Sequence, residues 1–217
     1  MHYNISKKIK KEMGLIYRFA ALIIRLIFHI NGGLVVKGSE NIPLEGGVII
    51  AFNHLSFLDP LLAGAALPRR ATFMARRELF NVPVLGWMAK HYALPVDKER
   101  FLPSTVKQSV KRLRGGEVVV IFPEGMRSKT GELLEAGQGV GMIALHGNVP
   151  IVPALITGSN AALPFDARWL KRAKVSVIFG KPIYFSKGEV ADQRHSLYKD
   201  ISDKVMYNIG RLQKRSA

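Results

Sequence analysis

Short apolar runs that alternate with stretches of helical periodicity constrain this chain more than any other feature. Leu34 to Lys37, Gly47 to Phe52, Thr72 to Ala75, Val118 to Phe122, Ile151 to Thr157 and Val175 to Phe179 are rich in β-branched residues and too short for ordinary helices, the pattern of buried strands. Helical stretches fall between them at about 57–66, 83–91, 104–114 and 139–146. The alternation predicts one α/β domain with a largely parallel central sheet flanked by helices, in which sites gather at the carboxyl ends of strands. A chain of 217 residues can bury a sizeable core in a single domain. The helix after Ser104 puts Val106, Val110 and Leu113 on one side and Lys107, Lys111 and Arg114 on another, a solvated basic face. Leu197, Ile201, Val205 and Ile209 form a packing stripe near the carboxyl end, and Pro164 to Lys174 reads as an exposed loop.

The run Gly47 to Phe52 leads directly into Asn53-His54-Leu55-Ser56-Phe57-Leu58-Asp59. Two side chains five apart on a regular helix are rotated by roughly 140° and cannot meet, so His54 belongs before the helix and Asp59 within its first turn. An imidazole placed there can fold back onto the carboxylate, which holds one ring nitrogen and leaves the other free to take a proton. Asp59 also suits the positive end of the helix dipole, and Ser56 is the expected N-cap. The plainer alternative is that Asn53 and His54 only make turn hydrogen bonds. A second apolar run, Val118 to Phe122, ends in Pro123-Glu124-Gly125-Met126-Arg127-Ser128, a polar loop with an acid and an arginine at a strand end.

Taken together, the Asn53 to Asp59 and Phe122 to Ser128 segments resemble the paired motifs of the glycerolipid acyltransferases, above all the bacterial 1-acylglycerol-3-phosphate (lysophosphatidic acid) acyltransferases. Two further blocks agree in order and spacing: Ala75 to Phe80, continuing through Pro83, Gly86-Trp87 and Pro95-Val96-Asp97, and Val149 to Pro153. The likeness runs over residues 34–185. It implies transfer of a fatty acyl group from acyl-CoA or an acyl-carrier protein to the free hydroxyl of a lysophospholipid acceptor, in the glycerolphosphate acyltransferase-like fold. By resemblance, His54 takes the hydroxyl proton and Asp59 orients the imidazole. Arg127 holds the acceptor phosphate, Glu124 binds acceptor hydroxyls and shapes the loop, and Gly125 relieves strain in the turn. Arg76, where the family has Lys, is carried over as a phosphate contact, with Arg77 an equal candidate; the closing VDR block is here Val96-Asp97-Lys98. Met126 replaces the family's Thr, which leaves the acceptor head group open. Since the nucleophile belongs to the substrate, the lack of any Cys and of a GxSxG elbow fits.

A net charge of +16 calls for an anionic partner: a phospholipid surface, nucleic acid or an acidic carrier. The basic patches lack the aromatic interleaving of nucleic-acid binders, so no nucleic acid is expected. Leu15 to Ile30 is apolar except for Arg18, Arg25 and His29, and a helix of that length spans ~24 Å, short of the ~30 Å hydrocarbon core. Lys11, Arg18 and Arg25 recur every seven residues and form a narrow basic stripe that follows the cluster Lys7, Lys8, Lys10 and Lys11. The expectation is a helix lying in an anionic membrane interface with its charges toward head groups, rather than a core helix or a signal peptide. Residues 1–32 are thus an amphipathic interface helix and residues 33–217 the acyltransferase domain, peripheral or monotopic on the cytoplasmic face. Gly137 to Gly141 lacks the register of a dinucleotide loop and reads as a helix start, and scattered histidines give no metal-ligand spacing, so neither cofactor nor metal is expected. Acylation of another lysolipid, and noncatalytic binding to anionic surfaces, are the alternatives.

Overall fold

All of the expected strands form, and one more joins them. The computed structural model describes residues 2–83, 85–97, 103–185 and 194–216; Lys98 lies outside them, as do the side chains of Lys7, Lys8, Lys10 and Lys11. Strands β1 (Leu34–Lys37), β2 (Val48–Phe52), β3 (Ala71–Arg76), β4 (Ala93–Val96), β5 (Val118–Ile121), β6 (Ile151–Thr157) and β7 (Val175–Phe179) make a seven-stranded sheet of order β1-β7-β6-β2-β5-β3-β4. Neighbours run parallel except β6 and β7. The unexpected strand is β4, short and carrying Pro95, which an edge position tolerates because one side of the strand needs no ladder.

Burial on both faces explains why the strands read as unbroken apolar runs. Val48, Ile50 and Phe52 pack with Val120, Ile156, Leu62 of α2 (Asp59–Ala66) and Phe28 of α1 (His2–Ile30). Ile49 and Ala51 point the other way, onto Val110 of α4 (Pro103–Arg114), Ile143 of α5 (Gly139–Gly147) and Val205 of α7 (Arg194–Ser216). Lys107, Lys111 and Arg114 are exposed, as the periodicity requires. The helix α3 (Leu85–Tyr92) and the single turn α6 (Ser159–Ala162) complete the chain.

Pro153 sits inside β6 without breaking the sheet. Its carbonyl accepts the Gly180 amide at 2.7 Å, and the missing N–H falls where β7 has just ended at Phe179. Pairing resumes when Ile151 and Ile183 exchange two hydrogen bonds at 2.9 and 2.7 Å.

The amino-terminal helix has two unlike sides. One side packs on the domain: Phe28 is buried, and the Tyr17 hydroxyl, its pKa pushed up to about 12 by burial, donates to Gly64 O at 3.2 Å. Leu15, Phe19, Leu22, Leu26 and Ile30 face outward and remain exposed. Arg25 departs from the expected head-group stripe. Its Nε–H donates to Ala65 O at 2.6 Å, satisfying a carbonyl in the last turn of α2 that has no helical partner. Among the described residues no helix is long and apolar enough to cross a membrane.

Candidate active site

Because β2 and β5 are adjacent and parallel, with Ile50 opposite Val120, the loops that follow them leave the sheet at one edge. The next strand beyond β5 is β3, whose last residue is Arg76. Three neighbouring strand ends therefore deliver His54, the Glu124 to Arg127 loop and Arg76 to one place. The Ser128 amide donates to His54 O at 2.8 Å and ties the first two loops together.

The helix α2 starts at Asp59, so His54 lies ahead of it and its ring folds back. His54 Nδ1 is 2.8 Å from Asp59 Oδ2, and the amides of Leu55 and Ser56 donate to the same oxygen at 2.6 and 2.7 Å. Asp59 has no exposed surface, whereas the His54 side chain is partly open. With the carboxylate on Nδ1, the ring carries its proton there, and Nε2 keeps the lone pair that can accept another. The ring stacks on Phe122, with centroids 4.3 Å apart. Ser56 is not the N-cap: Leu58 holds that position, and the Ser56 hydroxyl instead accepts the Leu58 amide at 3.3 Å and donates to Leu163 O at 3.1 Å. Asn53 pairs with β6 as a strand residue would, its amide group giving to Ile156 O at 2.9 Å and taking from Ile156 N at 2.7 Å.

Glu124 holds backbone on two sides. Oε1 accepts the His54 amide at 3.0 Å and Oε2 the Leu134 amide at 3.2 Å, so one carboxylate braces the base loop and the segment leading to α5. Burial pushes its pKa up to about 7, helped by the nearby Asp59 charge and opposed by the two amide bonds. Gly125 has φ +67°, a left-handed conformation in which glycine avoids the strain other residues would meet, and its amide closes the turn onto Phe122 O at 3.0 Å.

Arg127 is gripped by aromatic rings. Its Cζ lies 3.5 Å from the Phe57 ring centroid and 4.3 Å from that of Phe165. Partial burial, then the charge of Arg76, holds its pKa below the usual arginine value, yet a guanidinium stays cationic. Arg76 Nη2 donates to Gly125 O at 3.3 Å, while Arg77 begins a 3-10 turn and is exposed, so only the first of the two candidates joins the loop. Two guanidinium groups beside one turn create a positive field suited to a phosphate. Among the described residues no His, Asp and Glu cluster has the arrangement of a metal site.

The acyltransferase family model matches residues 33–157, more than half of the chain. A 1-acyl-sn-glycerol-3-phosphate acyltransferase of Bacillus subtilis is 35% identical over 77% of this chain and 82% of its own. The chain belongs to the acyltransferase family. A chloroplastic 1-acyl-sn-glycerol-3-phosphate acyltransferase of Brassica napus is 32% identical over 71% of this family member, which spans only 46% of the plant protein. The crystal structure of PlsC from Thermotoga maritima, a 1-acyl-sn-glycerophosphate acyltransferase, shares the fold with a TM-score of 0.76 at 24% identity, covering 96% of this chain and 83% of that one.

In this family member Phe57, Phe122 and Phe165 shape the site although none of them was among the candidate site residues. Phe57 is 61% exposed while its neighbours Leu55 and Leu58 are buried, so its ring packs on Arg127 and not in the core. Phe165 carried no local signal, because its contact with Arg127 spans distant parts of the chain.

Proposed function

We propose that this enzyme moves a fatty acyl group from an acyl thioester to the free hydroxyl of 1-acylglycerol 3-phosphate, giving phosphatidate for phospholipid synthesis. The observation that carries the reading is the convergence, at adjacent strand ends, of a carboxylate-braced imidazole and a paired-arginine loop. His54 Nε2 takes the hydroxyl proton as the oxygen attacks the thioester carbonyl. The tetrahedral intermediate collapses by breaking the C–S bond, and the imidazolium returns its proton to the departing thiolate. Asp59 stabilises the imidazolium, and Arg127, with Arg76 beside it, holds the acceptor phosphate. Glu124 and Gly125 fix the loop from which Arg127 projects.

The donor is acyl-CoA or acyl-carrier protein, and the exposed basic face of α4 suits the acidic surface of either. Peripheral or monotopic attachment to the cytoplasmic face, through residues 1–32, is supported by the outward apolar arc of α1 and the net charge of +16. Met126, 56% exposed beside Arg127, favours a second reading in which the acceptor bears a different head group.

The test is a matrix of lysolipid acceptors against both thioester donors, with His54→Ala as control. Transfer to 1-acylglycerol 3-phosphate that disappears in the variant is the expected result. Wild-type protein that acylates no lysolipid would refute the enzyme reading and leave surface binding.

A further inference from the structure

Between α6 and β7, residues 164–174 place Trp169, 83% exposed, with Phe165 and Leu170 among Arg168, Lys171, Arg172 and Lys174. An indole pairs an apolar body with a polar N–H, the combination that settles at the boundary between head groups and acyl chains, and the surrounding cations favour an anionic leaflet. The segment is strapped down. The Lys171 amide donates to Ala162 O at 2.7 Å, Ala173 N to Asn31 O at 3.0 Å, and Asn31 Nδ2 to Lys171 O at 2.8 Å. Asn31 directly follows α1, whose last two turns expose Leu26 and Ile30, so the loop continues the apolar surface of that helix. At its base, Phe165 covers Arg127, and Lys129 Nζ lies 5.1 Å from the same ring.

We propose that the Pro164–Lys174 loop is a second bilayer contact, seating Trp169 in the head-group boundary of an anionic phospholipid surface while Phe165 holds the Arg127 guanidinium beside that surface. Contact by the loop is independent of catalysis; the part played by Phe165 rests on Arg127 being the anchor for the acceptor phosphate. A bilayer fits better than a protein partner, because an exposed indole ringed by cations and continuity with the apolar side of α1 both suit an anionic lipid surface.

The chain has two tryptophans, Trp87 and Trp169, so Trp87→Phe leaves a single reporter. With phosphatidylglycerol vesicles its emission should shift to the blue and be quenched by brominated acyl chains; phosphatidylcholine vesicles should do less. Unchanged emission while the protein cosediments with vesicles would overturn the proposal, as would failure to bind the anionic vesicles at all. In a second arm, Trp169→Ser should raise the apparent KM for an acceptor embedded in phosphatidylglycerol vesicles by about tenfold. Its rate on a short-chain, monomeric lysolipid should stay at the wild-type value. Equal losses on both substrates, or none on either, would remove the loop from lipid engagement. Absence of all acyl transfer would sink the proposed reaction and leave the fluorescence arm intact.

Discussion

Nδ1 of His54 stands 2.8 Å from Oδ2 of Asp59, and that one oxygen also receives the amides of Leu55 and Ser56. The atom that orients the imidazole thus also shapes the turn that carries it. His54→Ala should reduce kcat by about 10²- to 10⁴-fold with little change in stability. Asp59→Ala should reduce kcat and also cost about 1–3 kcal/mol, since it leaves the Leu55 and Ser56 amides without their acceptor. Combining both changes should be no worse for turnover than His54→Ala alone. Turnover assays and denaturant unfolding on the same variants check the dual role, and a fully stable Asp59→Ala protein would contradict it.

Arg127 offers a different separation. Removing its charge-assisted bonds should raise the acceptor KM by about 10- to 100-fold in Arg127→Ala, with a smaller effect on the donor. Arg127→Lys should recover only part of the loss, because an ammonium cannot lie flat between Phe57 and Phe165. Steady-state kinetics with each substrate varied decide the point; an acceptor KM equal to wild type in Arg127→Ala would exclude the phosphate role.

The pKa of Glu124 is raised from 4.5 to about 7, which fixes a sign. Between those values the folded chain keeps a proton that the unfolded chain has released. This contribution to stability is full at the acid end and is lost as pH climbs through about 7. In Glu124→Gln the proton difference vanishes, so the variant should lose less stability than wild type between about pH 5 and pH 8. Unfolding free energies at the two pH values give the comparison, and parallel slopes would show that another group is responsible.

Gly141 lies inside α5, where alanine would ordinarily favour a helix. Here an added Cβ would collide with the Tyr198 carbonyl oxygen of α7. Gly141→Ala should therefore destabilise by about 1–3 kcal/mol. A thermal midpoint at or above that of wild type would mean that the two helices are not held so closely.

The two sides of α1 predict opposite phenotypes. Phe28 is 1% exposed and Phe19 66%. Phe28→Ala should lower stability by about 3–5 kcal/mol, whereas Phe19→Ala should leave unfolding unchanged and weaken vesicle cosedimentation. Equal behaviour of the two variants in both assays would contradict the assignment of faces.

What could be read from residue order follows from the physics of each element. Strands such as Val48–Phe52 and Ile151–Thr157 were legible because burial on both faces leaves an unbroken apolar run, and the helical face of Val106, Val110 and Leu113 because its period is strong. Strand β4 was hidden by Pro95, and the reversed direction of β7 by the fact that an apolar run looks the same read either way. His54 and Asp59 were legible through a local spacing that only a turn can satisfy. The Phe165 contact to Arg127 was not, since nothing local encodes a meeting of distant segments. Arg25 shows the same limit on a helix, where periodicity places a side chain around the axis without revealing the Ala65 carbonyl waiting beside it.

The pairing of Ile50 with Val120 has a reach beyond the core. His54 and Glu124 hang from neighbouring strands, so the interval between their loops is gauged by the apolar ladder beneath. A slip of one residue would displace one loop by ~3.3 Å and turn its strand inside out. Buried valines and isoleucines thus keep the dimensions of the site, leaving the loops above free to change their lining while the spacing endures.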